Sequence, residues 1–179
     1  MQPVPATFRV TQEFGGGATA GIAPNPNPNS GIAYLVHLYG NYQPLGHAGR
    51  DIACPIGTPV GAMAAGTVLW ADWATKLPGD NSWKGWASRW FLYKRFPGIC
   101  TVIKHPWGIG VYAHLSNNNM APAGTKVTVG QTIGLSGNTK AIGPAEYVGA
   151  HLHVEALVDL SYSNSNGLIY GRTDPAKFF

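Results

Sequence analysis

The stretch Gly149–Leu157, GAHLHVEAL, decides how this chain is read. From His151 onward it has the character of a β-strand, in which successive side chains point to opposite faces and residues two apart share one. His151 and His153 therefore project the same way, close enough to act on one metal ion and one water, while Leu152 and Val154 turn the other way into core. Glu155 falls on the histidine face if the strand stays regular, where it can either hydrogen-bond a ligand or face solvent.

Matching parts occur upstream. GHAGRDIACPIGTPV (46–60) places His47 and Asp51 four residues apart, and GVYAHLS (110–116) places His114 near the end of another strand-like run. A catalytic zinc site keeps three protein ligands and leaves the fourth position for water. His47, Asp51 and one histidine of the 151/153 pair would fill three positions, leaving the other histidine and His114 to handle protons. The helical His-Glu-x-x-His motif is absent, so that class of metalloprotease is unsupported.

These blocks, together with CTVIKHPWGIGVYAHLS (100–116) and VGQTIGLSGNT (129–139), resemble the lysostaphin-type zinc endopeptidases, which cut peptide crosslinks in bacterial peptidoglycan. The resemblance runs from about Gly46 to Leu157, in the family's order, with its Gly-Thr-Pro-Val and Gly-Gln-x-Ile-Gly phrases between the ligands. Position by position it implies that His47, Asp51 and His153 bind one zinc ion per chain, and that His114 and His151 are the non-ligand catalytic histidines. A bound zinc lowers the pKa of its water to about 7 and polarises a carbonyl. The two remaining histidines would orient the water, steady the oxyanion and protonate the leaving amine.

The implied fold is mainly β: an antiparallel sheet domain with a substrate groove and few short helices. The chain of 179 residues is read as one metallopeptidase domain with its core at about 46–158. Twenty-four glycines and fourteen prolines between short apolar runs suit strands and turns. Strand-like runs lie near 7–14, 32–38, 58–63, 66–72, 99–104, 109–114, 126–129, 132–135 and 151–158, and the segment after about Ser161 reads as a loop and closing segment. The Gly/Asn/Pro-rich residues 15–31 read as a loop or flap. His37, in an apolar run, reads as a packed histidine. His105, before Pro106, reads as a turn residue. Cys54 reads as a buried thiol outside the ligand set, and whether it pairs with Cys100 stays open.

Two segments depart from the family's pattern. Residues 73–98, WATKLPGDNSWKGWASRWFLYKRFPG, stand where a short hairpin connection is usual and hold Trp73, Trp83, Trp86 and Trp90. Ser82–Lys94 is expected to form a short helix with Ser82 as N-cap; the tryptophans either stack on sugars or shape the substrate groove, or else build a satellite core. Ala145–Ala150 lengthen the loop before His151, so that Glu146 and Tyr147 could border the groove.

The charge balance of +4 favours approach to anionic wall polymers and carries no dense Lys/Arg cluster of the kind nucleic-acid binding needs. No run approaches the roughly 20 apolar residues that span a bilayer, and the start MQPVPATFRVTQEF lacks the pattern of a secretory signal. The expected partner is bacterial peptidoglycan, with no nucleic acid and no membrane insertion. The expected origin is a bacteriophage lysin, made in the host cytoplasm or carried on the virion. The alternatives are a non-catalytic wall-binding or regulatory module and a structural virion protein that keeps the fold.

Overall fold

The computed structural model describes residues 1–21, 43–117, 119–140 and 148–179. The run 32–38 with His37, the remainder of the 15–31 loop, and Glu146 and Tyr147 lie outside the described residues. Among the described residues ten strands form one sheet: β1 (Val10–Gln12), β2 (Arg50–Ile52), β3 (Pro59–Gly61), β4 (Gly66–Trp73), β5 (Ile99–His105), β6 (Gly108–Asn117), β7 (Lys126–Val127), β8 (Thr132–Ser136), β9 (Leu152–Leu157) and β10 (Arg172–Thr173). Every ladder is antiparallel, in the order β1-β2-β9-β6-β5-β4-β7; β10 adds to β9, and β8 joins β6 to β3. The mainly-β expectation holds.

β9 is central. It pairs with β6 along one side, and with β2 and then β10 along the other. All six of its residues are buried, so both faces of the sheet are covered here, whereas an antiparallel sheet commonly leaves one face wet. On one face Ile52, Val60, Ile103, Tyr112, Leu115, Leu152 and Val154 share a core. The other face packs Val102, Val111, Ala113 and Leu157 beneath Ala74, Leu77 and Leu92 of the insert. The histidine-bearing side of β9 is thus the side the insert covers.

Within the insert, Ser82 caps a helix as expected, its Oγ accepting from the Gly85 N–H at 3.1 Å. The helix, α1, spans only Trp83–Ala87 rather than continuing toward Lys94. Gly85 at its centre is a weak helix former, and Trp90 and Phe91 are left-handed, with φ of 53° and 59°. The turn winds around Arg89, which is 1 % exposed and donates to the carbonyls of Asp80, Gly85 and Leu92 at 2.6, 2.9 and 2.8 Å, with its guanidinium 4.4 Å from the Trp86 ring centre. Phe91 stacks on Tyr162 and Tyr170, with Trp83 and Trp86 edge-on or tilted against it. The aromatics therefore do build a satellite core, although Trp83 and Tyr93 each remain 63 % exposed.

His105 differs from its expectation as a turn residue. It ends β5 and is buried, with Nδ1 3.0 Å from the Ala65 carbonyl and Nε2 3.1 Å from the Tyr112 hydroxyl; Pro106 and Trp107 make the turn. The C-terminal segment, expected as loop, contributes β10 and a 3-10 turn at Pro175–Phe178. Cys54 and Cys100 are both buried and form no disulfide.

Ile52 and Leu152 face each other across the β2–β9 ladder, both fully buried. Truncating Leu152→Ala removes apolar contacts and leaves a cavity directly under the histidine strand, for an expected loss of about 2–5 kcal/mol in urea unfolding.

Candidate metal centre

The β2–β9 register sets Asp51 directly opposite His153. Facing residues of an antiparallel pair have Cβ atoms about 4.5–5.5 Å apart, near enough to share one ion. The chain before β2 must cross β9 closely to bring His47 in. Gly49 permits this, since a Cβ there would collide with the Val154 carbonyl oxygen and stand 2.9 Å from the His153 ring.

Three donor atoms converge. His153 Nδ1 is 2.8 Å from Asp51 Oδ1 and 3.0 Å from His47 Nε2, and His47 Nε2 is 3.3 Å from the same carboxylate oxygen. Donors held at about 2.0–2.2 Å from a tetrahedral zinc stand about 3.3–3.6 Å apart, so a small outward relaxation of this set admits the ion. Two imidazole nitrogens and a carboxylate oxygen are also the donor chemistry zinc favours. Among the described residues this is the one group of His, Cys, Asp and Glu arranged to hold a metal; Cys54 is outside it.

His114 arrives by a bulge. Ala113 pairs with His153, so in a regular strand His114 would face the opposite side. Instead β6 carries one extra residue: Ile99 and Thr101 pair with Leu115 and Tyr112, and His114 takes φ 58°. A left-handed non-glycine residue costs about 1–3 kcal/mol, held in place by its surroundings. Here the His114 N–H donates to the Pro97 carbonyl at 2.8 Å, and its ring Nδ1 lies 2.8 Å from the Thr139 carbonyl. The ring lies 4.6 Å from that of His151 and 5.9 Å from that of His153.

A carbonyl only accepts, so Nδ1 of His114 carries the proton and Nε2 keeps its lone pair, buried and without a partner among the described residues. His151 repeats the arrangement: Nδ1 donates to the Gly149 carbonyl at 2.6 Å, and Nε2 is 3.7 Å from Asp51 Oδ1. Both rings thus present an unprotonated nitrogen. Burial, reinforced by the neighbouring imidazoles, holds His114 down at about 3, and burial likewise lowers His151. The side chains of His151 and Asp51, at 15 % and 16 % exposed, form the rim.

Behind the cluster, His153 Nε2 donates to Glu155 Oε1 at 3.0 Å. Burial alone would raise the Glu155 carboxyl, but the Arg172 guanidinium and His153 hold it down at about 2. Burial works against Asp51 in the same way, yet His153 and His47 hold it far below the usual carboxylate range. For His153, burial is outweighed by its bonds to Asp51 and Glu155, which raise the metal-free ring to about 9. Sequence reasoning left Glu155 undecided between ligand support and surface, and it missed Arg172, which sits in no recognisable motif, and Thr139, which ends the block 129–139 but was given no role there.

The sequence model of peptidase family M23 matches residues 45–165. No curated protein sequence matches the chain. Among solved structures, the fold is shared with the catalytic domain of the antimicrobial peptidase lysostaphin from Staphylococcus simulans (TM-score 0.56, 24 % identity over 96 % of this chain and 91 % of that one). It is shared too with a mutant form of the catalytic domain of the prophage-encoded M23 protein EnpA from Enterococcus faecalis (TM-score 0.54, 20 % identity, 98 % and 94 % covered). A zinc-containing peptidase from Vibrio cholerae also matches (TM-score 0.53, 24 % identity over 86 % of this chain), but the match spans only 35 % of that protein.

The depressed pKa of His114 makes stability depend on pH. An unfolded imidazole binds its proton near 6.5, whereas the folded one stays neutral to about 3. The contribution of neutral His114 is therefore present above pH 6.5 and lost as pH falls from there toward 3. Urea midpoints of the chelator-treated protein are expected to drop over that window, and His114→Gln is expected to make the drop shallower. Equal slopes for the two proteins would show that His114 does not stay neutral.

Proposed function

The chain belongs to peptidase family M23, and from that membership we propose a zinc-dependent endopeptidase that hydrolyses amide bonds in the stem peptide or crossbridge of bacterial peptidoglycan. The observation that carries this reading is the convergence of His47 Nε2, Asp51 Oδ1 and His153 Nδ1 within 3.3 Å of one another, beside two histidines that each keep Nε2 unprotonated. Residues 1–179 are proposed to form a single metallopeptidase domain, with residues 73–98 inserted.

In this reading His47, Asp51 and His153 hold the ion, which supplies Lewis acidity to an amide carbonyl and makes water acidic near neutral pH. His114 and His151 perform the proton transfers. Each has its Nδ1–H fixed on a backbone carbonyl, so Nε2 is the working atom: it accepts a proton from the attacking water and returns it to the departing amine nitrogen. Once protonated, the same N–H can donate to the oxyanion of the tetrahedral intermediate. Backbone anchoring of both rings limits reorganisation during the reaction.

Family membership supports the hydrolytic reading, and the antimicrobial and zinc-containing names of the neighbouring peptidases are in keeping with it. A bacteriophage lysin is the proposed origin, in keeping with the prophage-encoded neighbour.

The test is release of new amino termini and loss of turbidity from purified cell walls, with bound zinc measured in parallel. Wild type is expected to cleave. His153→Ala is expected to lose zinc and activity together. His114→Ala is expected to keep zinc while activity falls about 10²–10⁴-fold, the range for loss of a general acid–base. Walls of several chemotypes left intact by zinc-loaded wild type would replace the enzyme with a wall-binding or structural role.

A further inference from the structure

Arg172 of β10 is 2 % exposed, and each of its three guanidinium nitrogens donates a hydrogen bond. Nε donates to Glu155 Oε2 at 2.5 Å, Nη1 to the Tyr170 carbonyl at 3.0 Å, and Nη2 to the Trp90 carbonyl at 2.8 Å. The last contact leaves the sheet and enters the aromatic insert. Through it a continuous line of polar contacts runs from the Trp90 carbonyl to Arg172, Glu155 and His153, ending at Asp51.

The insert holds the far end of this line by packing. Trp90 and Phe91 are both left-handed, which turns the chain sharply, and Phe91 is clamped against Tyr162 and Tyr170 at ring distances of 4.9 and 5.5 Å. The direction of the Trp90 carbonyl is therefore set by aromatic contacts. At the near end, the His153 ring offers Nδ1 to Asp51 and His47 only while Nε2–H has its acceptor in Glu155. An acceptor on the outer nitrogen fixes both tautomer and ring plane of a metal-binding imidazole. Glu155 Oε1 keeps its place beside His153 because the Arg172 Nε–H holds the other carboxylate oxygen, Oε2.

We propose that the aromatic insert is a positioning element for the metal centre, with the Trp90 carbonyl fixing Arg172, Arg172 fixing Glu155, and Glu155 fixing the imidazole of His153. This rests on the reading of His47, Asp51 and His153 as the metal ligands. Arg172 and Glu155 are positioning residues that touch neither substrate nor ion, and the insert acts through them on affinity and ligand geometry. Trp73, which makes no ring contact with this cluster among the described residues, has no part in the relay.

The test uses the full chain, measuring zinc affinity by chelator competition and the visible spectrum of the cobalt(II)-substituted protein, which reports ligand geometry. Arg172→Gln is expected to weaken zinc about 10–100-fold, the usual loss when ligand support is removed, and to alter the cobalt spectrum. Phe91→Gly, which tolerates the left-handed backbone but releases the clamp, is expected to weaken zinc several-fold, with recovery in Phe91→Tyr. Trp73→Ala is expected to match wild type in both readouts. If Arg172→Gln fails to fold, Arg172→Lys decides by the same criteria, since lysine keeps the charge but cannot span both partners. Wild-type affinity and spectrum in the folded arginine variant overturn the inference alone. Weakening by Arg172→Gln without any effect of Phe91→Gly overturns the part assigned to the insert. A wild-type chain that takes up neither ion overturns the metal reading, and the inference with it.

Discussion

The antiparallel pairing of Asp51 with His153 is the constraint on which the other polar groups depend. β2 is only three residues long, so its ladder contributes few hydrogen bonds with which to hold register. Register is set instead by what lies on each side. Ile52 and Leu152 meet in the core, and Arg50 reaches outward to Asp174 at 2.8 Å and Glu13 at 2.6 Å. A slip of one residue would exchange the faces, sending Asp51 into the apolar layer and Ile52 toward the histidines. The centre is thus specified by hydrophobic pairing at least as firmly as by its own charges.

Much of this was legible in the sequence because it follows from period two. The alternation in HLHVEAL places His151, His153 and Glu155 on one side and Leu152 and Val154 on the other, and the structure keeps that division. The spacing of His47 and Asp51 was legible only as a motif. β2 itself, three residues containing two charges, carries no strand pattern of its own and exists because β9 and β1 flank it. His114 was found by its motif, but alternation would have placed it on the wrong face, since an extra residue in a strand leaves no mark in the sequence. α1 was overextended because Ser82 is a good start signal, while the stop came from two bulky residues in a conformation usually left to glycine. His105 was misjudged because the proline after it signals a turn, and the turn begins one residue later than expected.

The insert shows how a small sheet comes to be buried on both sides. Leu77 and Leu92 cover the side of β5 and β6 that would otherwise face water, and the rest of the segment folds around one arginine beside its aromatic cluster. Arg89 ties the carbonyls of Asp80, Gly85 and Leu92 together, doing for this turn what a ladder does for a strand. Its guanidinium also lies over the Trp86 ring, so the same residue joins the polar and aromatic halves of the segment.

The bulge in β6 separates the history of the fold from that of its chemistry. Tyr112 and Leu115 lie in the same core and are three residues apart only because His114 is accommodated between them. Loss of one residue at this point would let the strand revert to plain alternation, with both core residues still in their layer and the histidine gone from beside His151 and His153. One deletion there would therefore take His114 away from the metal centre while leaving the sheet intact.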